Sequence, residues 1–247
     1  MTRYIYDGSF RGLLTVIYEG FKAKKVPRSI VTNENYQPSL FKDSLEIESE
    51  DKKADKVSSS LKNKISQKAY KDVYHAFLSE MTGIELNIYR YLLYCFKQNV
   101  DDKYKGRTEA GKKVKSAASK VRKERHRFKG LLRFRELENG TLYAPYKPDY
   151  NITGLLAPHF AGRLATENGV IHDKKRDIAA FFSRGEWELV NSSEIPCPRE
   201  NSMAKAEENY QQLWQNFFEN IAIEERKNPE LQKNLMPKKY WEYLIEK

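Results

Sequence analysis

Fourteen of the chain's forty-four Lys and Arg residues fall between Lys103 and Arg135, alongside only two acids, Glu109 and Glu124. That segment carries +12 while all 247 residues together carry +10, so the remainder is slightly acidic at −2. Burying so many like charges without partners costs more than packing returns, so the segment must lie at a surface facing water or a polyanion. Residues 107–128 read as a helix with a narrow apolar stripe of Ala110, Val114, Ala117, Val121 and Phe128. Lys112, Lys113, Lys120, Lys123 and Arg127 take the opposite face at 100° per residue. Gly111 costs such a helix about 1 kcal/mol relative to alanine, or else marks its true start.

The charge runs on into what reads as a hairpin. Leu131 to Leu137 forms a strand, Asn139-Gly140 supplies the central residues of a type I′ turn, and Thr141 to Tyr146 returns. Alternation puts Arg133 and Arg135 on the solvent or ligand side, with Leu132 and Phe134 toward the core. Pro145 marks an edge strand or its end. Asn151 to Ala165 reads as a helix bent by Pro158. Val170 to Asp173 and Ile178 to Phe182 read as strands around the charged turn Asp173-Lys174-Lys175-Arg176-Asp177, and Trp187 to Val190 adds another.

On the N-terminal side, Arg3 to Tyr6 reads as a strand and Asp7-Gly8-Ser9 as a turn ending in an N-cap. Phe10, Leu13, Leu14, Ile17 and Phe21 then follow helical spacing up to Pro27. Residues 42–64, charged and Ser-rich, read as a loose connection. Ile65, Ala69, Val73, Ala76 and Phe77 mark one helical face, and after Gly83 residues 84–97 are apolar nearly all round, as in a buried helix. On the C-terminal side, Ala206, Tyr210, Leu213, Trp214, Phe217 and Ile221 form a wide stripe on a long helix that Asn228-Pro229 stops. The stripe is expected to be core or an interface and not a ligand box, and the segment to Trp241 to be integral to the fold. These readings give an α+β protein, with a small antiparallel sheet packed by helices from both N- and C-terminal regions. The expected divisions are 1–105 (mainly helical), 106–200 (basic helix plus sheet) and 201–247 (helical).

Several chemistries lack their residues. There is no glycine-rich phosphate loop. Cys95 and Cys197 lie far apart and read as reduced cytoplasmic thiols, too few for an iron–sulfur cluster or structural zinc. His75, His126, His159 and His172 show no metal-ligand spacing, so neither metal nor cofactor is expected. No apolar run approaches the ~18 residues a membrane span needs. The candidate acid–base groups are His172, Asp173 and Asp177 at a strand end, with His159 on a helix. Adjacent strand residues face opposite ways, so a structural turn network around His172 is the stronger reading. The candidate polyanion contacts are Lys112, Lys113, Lys115, Lys120, Arg122, Lys123, Arg125, Arg127, Lys129, Arg133, Arg135, Lys174, Lys175 and Arg176. Tyr143, Tyr146 and Tyr150 follow the Arg-bearing strand and read equally as base-stacking platforms or as core.

Four stretches carry a family resemblance: YIYDGSFRGLLTVIYEGF, RHRFKGLLRFRELENGTLYAPYKPDYNITGLLAPHFAGRL, IHDKKRDIAAFF and LWQNFFENIAIEERKNPELQKNLMPKKYWEYL. They resemble the bacterial "probable DNA metabolism protein" family of the DUF4130 type. Gly169 departs from the family pattern, which often has tryptophan there. The resemblance implies a DNA-repair context and a radical-SAM protein as partner, without implying a reaction. The expected function is thus a DNA-binding accessory, inactive alone, that holds DNA (or RNA) for a partner enzyme. The alternatives are an independent nucleic-acid-processing enzyme of glycosylase or hydrolase type, and a protein–protein adaptor. The oligomeric state is left open.

Overall fold

The computed structural model describes residues 2–37, 43–98, 108–191, 203–221, 223 and 228–246. The chain divides into two compact units, residues 1–122 and 123–247. The fold class is α+β, as the periodicities predict.

In the first unit, strand β1 (Arg3–Tyr6) enters helix α1 (Phe10–Lys22) through the expected turn. Gly8 takes φ +82°, and Ser9 Oγ accepts from the Gly12 N–H at 2.8 Å, satisfying one of the free donors of the first helical turn. Strands β2 (Ser29–Thr32) and β3 (Ser44–Glu46) pair in parallel on either side of β1. Residues 42–64 are therefore not the loose connection their composition suggests. They hold β3, helix α2 (Asp51–Ser60) and the start of a π-helical turn (Leu61–Ile65). Ala54, Val57 and Leu61, spaced at three and four residues, are buried between lysines and serines that stay outside. Helix α3 (Gln67–Phe77) is capped by Ser66. Helix α4 (Ile84–Gln98) is the buried helix expected, with Ile88, Tyr91, Leu92 and Cys95 all nearly inaccessible. Cys197 lies outside the described residues.

Helix α5 (Glu109–Leu131) begins under a Thr108 cap and contains the boundary between the units. Val114, Ala117 and Ala118 join the core of the first unit. In the second unit Phe128 packs edge-on against Tyr146 and Tyr240 at 5.0 and 4.7 Å.

The second unit has a five-stranded sheet in the order β4 (Arg135–Glu136), β5 (Leu142–Tyr146), β6 (Gly169–Asp173), β7 (Ile178–Ser183) and β8 (Glu186–Asn191). The sheet is mixed: β5 and β6 are parallel, because helix α6 (Thr153–Arg163) lies between them in sequence and supplies a crossover. The strand expected from Leu131 contracts to two residues, since α5 continues to Leu131. Its turn also differs. Only Gly140 has positive φ, and its N–H donates to the Leu137 carbonyl, which fits a type I turn followed by a left-handed bulge residue. The type I′ turn is instead Arg184-Gly185, where both residues have positive φ between β7 and β8. Strand β4 pairs only with Leu142 and Tyr143, so among the described residues the neighbour of β5 at Pro145 is β6 alone. Gly169 sits under the Phe182 ring, where a Cβ would lie 2.2 Å from Cζ; that packing excludes any larger residue without rearrangement.

Helices α7 (Glu207–Asn220) and α8 (Pro229–Leu235) and a 3₁₀ turn (Lys238–Tyr243) end the chain. Of the two readings of the α7 stripe, core or interface, the core one fails: Tyr210, Leu213, Phe217 and Ile221 are each more than half exposed. The buried anchors are Glu207, whose carboxylate accepts from the Glu136 N–H, and Tyr240 and Leu244 near the end of the chain.

Candidate nucleic-acid interface

The exposed side of α5 is built by its opposite side. Alanine and valine at Val114, Ala117, Ala118 and Val121 bring the helix close to its support, and Lys112, Lys113, Lys120, Lys123 and Arg127 are turned to solvent. Steps of seven, three and four residues line Lys113, Lys120, Lys123 and Arg127 along one face. Among the described residues, Lys112, Lys113, Lys120 and Lys123 have no ion pair. Lys115 and Lys129 are half-buried. Arg125 is also half-buried, with its Nε unpartnered among the described residues. Lys103, Lys105 and Arg107, the start of the basic segment, lie outside the described residues.

Other predicted contacts are engaged within the fold. Arg122 pairs with buried Asp72 at 2.5 Å. Arg127 donates to the Asn234 carbonyl but stays exposed. Arg133 is not the free cation the alternation predicts. Its guanidinium forks onto Glu246 at 2.5 and 3.1 Å and lies against the Trp214 ring. Burial works to raise the Glu246 carboxyl, but Arg133, aided by the Trp214 indole, holds it below the usual range. Arg135 is half-buried, with Nε unpartnered among the described residues. Arg176 pairs with Asp173 at 2.9 Å and donates to the Pro148 and Asp149 carbonyls, and Lys175 also reaches the Asp149 carbonyl. Lys174 alone of that turn points a cation outward without a partner among the described residues. Leu132 is buried as predicted, while Phe134 packs edge-on against Phe160 and Phe182.

The acid–base candidates separate into two groups. His172 is buried, with Nδ1 2.8 Å from the Tyr143 hydroxyl and Nε2 3.3 Å from Asp177. Asp173 points the other way, as strand alternation requires, and its Oδ1 accepts from the Lys175 and Arg176 N–H groups. Burial raises the Asp173 carboxyl in spite of Arg176. Burial likewise pulls the His172 pKa below its ordinary value, with Lys174 acting in the same sense and Asp177 and Asp173 opposing. His159 packs on Phe160, and its pKa falls through burial and then through Lys129, Arg163 and Arg125, which places it among cations. Tyr143 and Tyr146 are core side chains, not stacking platforms, and Tyr146 shares a hydrogen bond with Thr153. Tyr150 is half-buried.

A pH dependence follows from His172. Its folded pKa lies below the unfolded value of about 6.5, so the folded state favours the neutral ring. The stability tied to it is complete above the unfolded pKa and is lost as pH falls through that value toward the folded one. Urea unfolding at pH 7 and pH 5 should therefore lose less stability between the two in His172→Asn than in wild type. Identical losses would show that the ring is not held neutral.

Sequence reasoning gave no warning of Glu246, which lies 113 residues from the arginine it neutralises. Among the described residues no three His, Cys, Asp or Glu side chains converge to hold a metal ion, and no helix is long and apolar enough to cross a membrane. No curated protein matches the chain. A domain of unknown function, DUF4130, matches residues 82–246, which include α4, α5 and the second unit; the opening stretch from Tyr4 to Phe21 lies outside the match. Over those residues, about two thirds of its length, the chain belongs to the DUF4130 family.

Proposed function

We propose that this protein is a DNA-binding accessory in DNA repair or modification. It holds the phosphate backbone on the exposed face of α5 and leaves the chemistry to a partner enzyme. The observation that carries this reading is the set of exposed lysines without ion pairs among the described residues, Lys112, Lys113, Lys120 and Lys123, on a helix whose other side is packed. Unneutralised cations in a row repel one another and gain most from a linear polyanion. Such contacts read no bases, so binding is tolerant of sequence, and RNA duplexes compete. The repair setting and a radical-SAM protein as partner come from the family resemblance. The α7 stripe of Tyr210, Leu213, Trp214 and Phe217 supports a protein partner, since exposed apolar patches of this kind mark such contacts.

The test uses two DNA duplexes of equal length and unrelated sequence, titrated with the full chain by fluorescence anisotropy. Equal affinities are expected, and a strong preference for one duplex would contradict backbone holding. The same protein should release no base and cut no strand on uracil-containing DNA. Turnover that disappears in His172→Ala would replace this reading with the enzyme alternative.

A further inference from the structure

The first unit carries a second group of cations, made of residues that no charge run in the sequence singles out. One cleft, of about 370 Å³, is lined by Phe21, Tyr89 and Phe96 together with Lys24, Lys25 and Lys97. Another, of about 530 Å³, is lined by Tyr18, Phe21 and Phe96 together with Lys22, Lys56 and Lys64. The two share Phe21 and Phe96, whose rings meet edge-on at 5.8 Å. Phe21 also meets the edge of Tyr89 at 5.2 Å. Among the described residues no acid lines either cleft. All six lysines are exposed, and none has an ion pair among the described residues.

The surroundings fix this arrangement. Phe21 and Phe96 are half-buried against the core, so their rings are held in place. Lys24 takes φ +54°, in the left-handed region that a non-glycine residue adopts only where its surroundings hold it. The turn is held by the Lys25 N–H donating to the Gly20 carbonyl and by the Tyr89 hydroxyl donating to the Lys25 carbonyl at 2.8 Å. Both clefts fall within the ~300–1,000 Å³ range of ligand pockets. A ligand that fits them needs flat π-surface for the rings and negative charge on both flanks. Nucleotides joined in a strand have both; a duplex does not, because its bases are stacked inside.

We propose that these clefts form one groove for single-stranded nucleic acid. An unpaired base lies on Phe21 or Phe96, and phosphates on its two sides meet Lys24, Lys25 and Lys97 in one cleft and Lys22, Lys56 and Lys64 in the other. The groove is distinct from the face of α5 and stands whether or not that face holds DNA.

The first arm uses the unaltered protein. A thymidine oligomer carrying 5-iododeoxyuridine is crosslinked to it by light and the attached peptides are identified. Attachment to peptides containing Phe21 or Phe96 is expected, and attachment only elsewhere overturns the proposal. The second arm uses Lys112→Glu/Lys120→Glu/Lys123→Glu, which reverses α5. In this protein the thymidine oligomer should bind about 5- to 150-fold tighter than an abasic oligomer of equal length, the range for loss of one stacked base. Adding Lys24→Glu and Lys97→Glu, both at exposed positions, should abolish that difference. Equal binding of the abasic strand, or no effect of the added substitutions, overturns the groove. Competition by thymidine monophosphate as strong as by the oligomer overturns the strand and leaves a free-nucleotide site. Duplex binding that survives the α5 reversal contradicts the proposed function and leaves the groove standing.

Discussion

Replacing Glu124 by alanine is expected to cost the second unit about 2–4 kcal/mol of stability. This acid stands within the basic helix α5 yet is only 2% exposed. Its carboxylate accepts from the Asp149 N–H at 2.8 Å, the Tyr150 N–H at 2.9 Å and the Tyr240 hydroxyl at 2.6 Å. Alanine removes the acceptor for all three donors: the Tyr240 hydroxyl is buried and costs about 1–3 kcal/mol when left without a partner, and the two backbone N–H groups are part-buried and cost less each. The loss also frees the end of the chain, because Tyr240 packs on Phe128 and holds the 3₁₀ turn through that hydroxyl. Burial raises the carboxyl of Glu124 against the pull of its three donors, so the site holds the charge at some cost. Glu124→Gln keeps one acceptor oxygen and should lose less, about 1–2 kcal/mol. Urea unfolding followed by tryptophan fluorescence measures both variants. A change below about 0.5 kcal/mol in the alanine variant, the size of an ordinary surface substitution, would show that these bonds do not hold the turn.

Where sequence and structure agree, the signal was local and dense. The basic helix, the capped turn at Asp7-Gly8-Ser9 and the apolar circumference of α4 each follow from side chains a few residues apart. Where they part, the deciding residue is distant or the side chains are small. Helix α2 buries only Ala54 and Val57 among lysines and serines, so its periodicity is faint. The parallel pairing of β5 and β6 depends on α6 serving as a crossover, which strand alternation does not report. The turn at Asn139-Gly140 adds a bulge that pattern matching to two central residues misses, and Arg184-Gly185 lacks the usual asparagine or aspartate. Arg133 lies outside the two-residue strand and is neutralised by Glu246. The α7 stripe is amphipathic as read, but amphipathicity says that a face seeks a partner and not that the partner is the same chain. At the candidate interface the helix was therefore legible, while the cations engaged within the fold, Arg122, Arg133, Lys175 and Arg176, were not.

Backbone holding by α5 makes a quantitative claim about salt. Each phosphate neutralised on a duplex contributes about −0.9 to the slope of log affinity against log salt concentration. Lys112, Lys113, Lys120, Lys123 and Arg127 are exposed together, so a slope of roughly −4 to −5 is expected for the wild-type chain. Reversing Lys112, Lys120 and Lys123 to glutamate should make that slope shallower by about 3 and weaken binding most at low salt. The decisive measurement is this pair of salt titrations on one duplex, wild type beside the triple variant. The account predicts the shallower slope and lower affinity in the variant; equal slopes and equal affinities would contradict it.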